Sequence, residues 1–150
     1  MSLGKVFNIA GSGMSAQTLR LNTTASNMAN AQSVSSSVDE TYRARKAVFA
    51  PMLENYKQGE IGNPVTSFDP RDSAGEGVLV RGIVESDAPL QRRFEPDHPM
   101  ANEEGYVFYP NVNVVEEMAD MLSASRSFQT NVEVMNTAKQ MMQRVLTLGQ

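Results

Sequence analysis

The chain has 150 residues, of which 13 are basic and 17 acidic, giving a formal net charge of −4. That balance argues against nucleic-acid binding, which rests on Lys and Arg neutralising phosphates, and the absence of cysteine excludes disulfides and thiolate metal sites. The longest apolar runs, such as residues 78–80, are far too short to enter and cross a bilayer. The N-terminus also lacks the apolar stretch of a cleaved secretory signal.

The first element predicted is a helix over about residues 1–30, with Ser2 as its N-cap. Phe7, Met14, Leu21 and Met28 recur every seven residues. Leu3 and Ala10 begin a second position, which Gln17 and Thr24 interrupt. The Ser-rich stretch 32–37 should end the helix near Asn30. Between residues 1 and 38 the only charges are Lys5 and Arg20. The remaining polar positions are Ser, Thr, Asn and Gln. Such small neutral side chains suit contact on several sides, where charges would be desolvated at a cost.

The middle of the chain is different in kind. All seven prolines fall between residues 51 and 110, so long helices belong outside that interval. Residues 42–49, 78–84 and 106–109 alternate or are rich in β-branched and aromatic types, and are read as strands. Residues 54–77 are rich in Gly, Pro and Asp and are read as a long loop.

The third part, from residue 113, is again helical. Asn113 followed by Glu116 has the spacing of a capping box. Val114, Met121, Phe128, Met135 and Met142 then repeat at heptad intervals. Met118, Ser125, Val132, Lys139 and Leu146 occupy a second, less regular position. Gly149 is a natural stop. Two offset heptad positions over more than four heptads predict a coiled-coil seam. The expected fold is therefore α+β: long N- and C-terminal helices pairing as a coiled coil, with a small β-rich middle domain. Residues 1–30 with 113–150 would form the helical part and residues 31–112 the β-rich part. The candidate assembly interface is Phe7, Met14, Leu21 and Met28 on the first helix. On the second it is Met118, Met121, Phe128, Val132, Met135, Met142 and Leu146.

Chemical motifs are few. Gly11, Gly13 and Ala16, following Val6-Phe7-Asn8-Ile9-Ala10, resemble a dinucleotide-binding turn. That turn needs a strand before it and a second strand ending in an acid about 20 residues on. Residues 31–37 supply neither, and the heptad runs through both glycines. Close helix packing accounts better for the small residues. His98, the single histidine, lies in a rigid Pro-flanked turn without partners for a metal or a catalytic triad. Asp69, Asp72 and Glu76 lack the spacing of a calcium loop. No catalytic residue, cofactor or metal is expected.

Several stretches resemble a known family. Residues 12–17 (Ser-Gly-Met-Ser-Ala-Gln), Arg20-Leu21-Asn22 and Ala25-Ser26-Asn27-Met28-Ala29-Asn30 resemble the N-terminal signature of flagellar axial proteins, with Met28 in place of a leucine. Tyr42-Arg43-Ala44 resembles the segment that follows it. Residues 110–118 resemble the entry to the family's C-terminal helix. Residues 123–131 resemble its Arg-Ser-Tyr-Gln-Ala-Asn motif, with Phe128 and Thr130 replacing Tyr and Ala. Together with Glu95-Pro96, residues 105–107 and the ending 146–150, these stretches are similar to the proximal rod subunits of that family. The stretch 54–77 looks longer than the family usually carries.

The resemblance implies that both termini line the wall of a tube, with a β-rich part outside it. It implies export as an unfolded chain by the flagellar type III apparatus, without a cleaved signal, to the periplasmic rod of the basal body. Implied partners are copies of itself, other rod proteins and the surrounding basal-body rings. Implied function is transmission of torque from motor to hook. A different axial subunit, a generic coiled-coil secretion protein and, remotely, a nucleotide-binding protein are the alternatives.

Overall fold

A computed structural model describes residues 3–52 and 77–148. The elements in chain order are α1 (Leu3–Asn30), β1 (Arg45–Met52), β2 (Gly77–Glu85), β3 (Gln91–Phe94), β4 (Tyr106–Tyr109) and α2 (Val114–Leu148). The fold is α+β, as the breaker distribution predicts. The 28 residues of α1 and 35 of α2 are free of proline. The proposed N-cap Ser2, the stop at Gly149 and nearly all of the long loop lie outside the described residues.

The two helices run antiparallel. Asn27 near the end of α1 meets Glu117 at the start of α2, and Gly13 near the start of α1 faces Asn131. Gly13 sits so close to its neighbour that a Cβ there would lie 2.9 Å from Asn131 Nδ2. The residues that carry this approach are small or polar: Ala10, Ala16, Thr23, Thr24 and Asn27 from α1, Glu117, Ala124 and Ala138 from α2. On α2 the buried line Glu117, Ala124, Ala138 keeps the heptad spacing, with Asn131 completing it. It runs beside the methionine stripe rather than along it.

Residues 3–30 form one continuous helix. The Gly11–Gly13 segment therefore has no strand before it and makes no phosphate-binding turn, which removes the nucleotide alternative. Its serine has a different use. Ser12 Oγ donates to Ile9 O at 2.8 Å and accepts from Val78 N–H at 3.0 Å, fastening β2 to α1. Gly77, at φ +137°, passes so close to Ser12 that any side chain would collide with the hydroxyl. Only glycine adopts that backbone without cost and clears the helix.

The sheet structure comprises two antiparallel ribbons, β1 with β2 and β3 with β4. In the first, Val48 lies opposite Gly82 and Phe49 opposite Val80. Arg81 is thus the extra residue of a bulge, which increases local twist. The strand expected over 42–49 begins only at Arg45. Just before it, Ala44 N–H donates to the Asn111 side chain, Oδ1, at 2.8 Å, while Ala44 O still accepts from Ser86 N–H at 2.8 Å. β3 is an element the sequence does not announce: Arg92 and Arg93 break any apolar alternation. Both are held by aromatic rings, Arg92 4.6 Å from the centroid of Tyr106 and Arg93 4.6 Å from that of Tyr109. β4 matches its predicted span and is tied on its other edge to Ser35, whose N–H donates to Phe108 O at 3.1 Å.

The capping box at α2 is half formed. Asn113 Oδ1 accepts from Val115 N–H at 3.2 Å. Glu116 turns outward, where its Oε1 accepts from Lys46 Nζ at 3.0 Å. The competing cation on β1 outbids the return bond to the cap.

Candidate assembly interface

Three structural elements converge on Asn27, which is 1% exposed. Its Nδ2 donates to Arg45 O at 2.8 Å and to Glu117 Oε1 at 3.0 Å. Its Oδ1 accepts from Tyr42 O–H and from Arg45 N–H, both at 2.9 Å. One amide thus spends both donors and both lone pairs on α1's neighbours, which sets the angle between the helices and the first ribbon. Asn111 does similar work at the entry to α2, since its Nδ2 donates to Ser86 O at 3.2 Å and Ala88 O at 2.8 Å. Arg20 pairs with Asp120 across the helices. Arg45 is bound to Glu85 across the ribbon, at 3.1 Å for its closest contact.

Electrostatics at this joint are uneven. Glu117 is 5% exposed, and burial is the main cause that pushes its carboxyl above the ordinary value. The Asn27 hydrogen bond opposes that shift, and the nearby Asp120 charge adds to it. Lys46 is raised mainly by its hydrogen bond to Glu116.

Among the described residues the buried apolar set consists of Ala, Val and Pro110, with no larger type. Every Leu, Ile, Phe and Met whose burial is described is half-buried or exposed. Of the candidate interface residues, Phe7, Met14, Leu21 and Met28 are half-buried along α1. Met121, Phe128, Val132 and Met135 are half-buried along α2, while Met118, Met142 and Leu146 are exposed. The structure does not gather these residues into one internal core. It lays them beside the small-residue contact, partly open to solvent.

Further large apolar residues join them on the outside of α2. Val115 and Leu122 are exposed beside Met118 near its start, and Val134, Met141 and Val145 toward its end. An open cavity of about 540 Å³ between the start of α1 and the end of α2 is lined by Val6, Val134, Ala138 and Met141, among others. The first ribbon also carries apolar side chains outward, with Leu79, Ile83 and Val84 exposed on β2. Large apolar side chains exposed in this number are candidates for contact with another protein surface. Two residues missing from the candidate set, Asn27 and Glu117, prove central to the joint. Asn27 lies in the recognised N-terminal signature; nothing in the sequence signals that Glu117, unlike Glu116, is buried. His98 is a turn residue, its Nδ1 accepting from Met100 N–H at 3.1 Å.

No helix among the described residues is long and apolar enough to cross a membrane. Residues 7–34 match the family described as flagella basal body rod protein, and residues 103–148 match the flagellar basal body rod FlgEFG protein C-terminal family. The flagellar basal-body rod protein FlgC of Salmonella typhimurium is 45% identical over 150 residues, covering 100% of both chains. That of Escherichia coli O157:H7 is likewise 45% identical over 150 residues with 100% of both chains covered. The FlgC protein of Borreliella burgdorferi is 36% identical over 155 residues, covering 100% of this chain and 99% of its own. With two terminal helices, a matched segment at each end and full-length relatives well above 30% identity, the chain belongs to the FlgC family of flagellar basal-body rod proteins.

Proposed function

We propose that this structural subunit of the flagellar rod works by polymerisation through its two terminal helices, forming a hollow shaft that carries torque from motor to hook. In this reading residues 1–30 and 113–150 build the helical wall, where heptad stripes of neighbouring copies meet as coiled-coil seams. Residues 31–112 lie outside it and meet other rod proteins or the surrounding rings. The chain reaches the periplasmic rod through the flagellar type III apparatus without a cleaved signal. It needs no cofactor and catalyses nothing.

The observation that supports this most is the mismatch between core and stripe. The chain closes its own contacts with Ala, Val, Thr and Asn, and leaves Met118, Leu122, Val134, Met141, Val145 and Leu146 exposed. Burying one such side chain is worth about 1.5–3 kcal/mol, so the gain open to a neighbouring copy is large. Helix packing between copies offers that burial at every subunit of a polymer.

Val132 tests it. It is half-buried on α2, between Phe128 and Met135. Replacing it with Asp places a carboxylate where the seam between copies excludes water, at a cost of several kcal/mol per subunit. Val132→Asp is expected to abolish rods and motility, whereas Val132→Ile is tolerated and His98→Ala swims normally. Swimming assays with electron microscopy of basal bodies score all three. A motile Val132→Asp strain, or a paralysed His98→Ala strain with normal rods, would falsify the reading.

A further inference from the structure

The joint between α1, β1 and α2 contains a buried acid, Glu117, that makes no ion pair among the described residues. A cavity of about 310 Å³ lies there, lined by Arg20, Thr24, Lys46, Phe49, Glu117 and Asp120, among others. Glu117 is the buried carboxylate at this place, 5% exposed, and its bond to Asn27 Nδ2 at 3.0 Å shares that nitrogen with Arg45 O. The cations around it are engaged elsewhere. From α1, Arg20 pairs with Asp120. From β1, Arg45 pairs with Glu85 and Lys46 with Glu116. From α2 itself, Glu116 and Asp120 flank Glu117 with like charge, and Tyr42 commits its hydroxyl to Asn27 Oδ1. Each obvious counter-ion already has another carboxylate, and Glu117 is left with neutral donors, the Asn27 amide and the Thr24 hydroxyl, and with only the more distant charge of Lys46.

We propose that Glu117 is a proton-sensitive latch: taking up a proton there tightens the joint between the two helices and the first ribbon, and ionisation loosens it. A buried carboxylate held by an amide costs free energy that the neutral acid avoids. The amide bond survives in both states, because a carboxylic acid still accepts from Asn27. What changes is the desolvated charge and its repulsion with Asp120.

The direction of the pH effect follows from linkage. Burial raises the folded-state pKa of Glu117 above its ordinary 4.5. Between those two values the folded chain binds more protons than the unfolded one, so stability falls as pH rises. The stabilisation is fully present below the ordinary value and is lost as pH rises through the folded one. The neighbouring Lys46–Glu116 pair is exposed and contributes little to stability.

The test is urea unfolding of the full-length monomer at several pH values from 4.5 to 7.5, for wild type, Glu117→Gln and Glu116→Gln. Subtracting the Glu117→Gln midpoints from those of wild type isolates this group from the other carboxylates. The difference is expected to become more negative as pH rises, with Glu117→Gln the more stable protein at pH 7.5. Glu116→Gln should keep the wild-type dependence, apart from the loss of its surface pair. A difference that stays constant with pH overturns the proposal. So does a Glu117→Gln chain that is less stable than wild type at pH 7.5 or fails to fold, since the charge would then be holding the joint.

Discussion

At the scale of single residues, the joint depends on side chains that make several bonds each. Asn27→Ala removes a partner from Arg45 N–H, Arg45 O, Tyr42 O–H and Glu117, of which Tyr42 keeps Ser26 Oγ at 3.3 Å and Glu117 keeps Thr24. Asn27 itself is 1% exposed, and each buried group left without a partner costs about 1–3 kcal/mol. The groups share one cavity and can relax together, so the losses are not additive. An overall destabilisation of about 3 kcal/mol is expected from urea unfolding. Tyr42→Phe removes a single donor, and Asn27 Oδ1 keeps Arg45 N–H. Its cost should be about 1 kcal/mol. Equal losses for the two variants would show that Asn27 is not the hub. The sequence places Asn27 within a family signature without stating its role, because a lone Asn in a helix is as compatible with solvent as with burial. Only the crossing of three elements supplies the four partners.

At the scale of elements, the two glycines early in α1 separate what a helix prefers from what a helix pair requires. Gly11 has nothing within 4 Å of an added Cβ, whereas Gly13 has Asn131 at 2.9 Å. Gly11→Ala is therefore expected to raise stability, by about 1 kcal/mol, from helix propensity alone. Gly13→Leu should lower it, because the side chain must push α1 away from α2. Thermal melts of the two variants should move in opposite directions. Movement in the same direction would mean that the helices do not meet at Gly13. The inner ends of the two helices were legible because a Ser-rich stretch follows Asn30 and Pro110 and Asn113 precede α2. β3 was illegible because its order comes from Arg–aromatic stacking with β4, which leaves no apolar period in the sequence.

At the scale of the whole molecule, the proposed function assigns the apolar residues left outside to contacts between copies. Leu122 and Leu146 are 61% and 66% exposed. Replacing either with Asp should change monomer stability by no more than about 0.5 kcal/mol, the usual range for exposed sites. The same replacements should prevent rod assembly, since a carboxylate would then be buried between copies. Unfolding of the purified monomer and electron microscopy of basal bodies give the two readings. Monomers destabilised by several kcal/mol would place these residues in the chain's own core instead.

The sequence by itself determined that the chain is helical at both ends and turn-rich between, and its signatures pointed to the flagellar axial family. Proline placement and heptad spacing act locally, so no tertiary knowledge is needed to read them. Which side of each helix meets the other was decided only by tertiary structure. A heptad stripe reports that apolar side chains seek a partner, and has no term for whether that partner is the same chain. Here the closest approach goes to Gly13, Ala124 and Asn131, because small side chains let two backbones come near. The methionine and leucine stripes, too bulky for that contact, remain on its flanks. The burial of Glu117 and the exposure of Glu116, adjacent and identical in type, were likewise settled by where Asn27 and Lys46 stand in space.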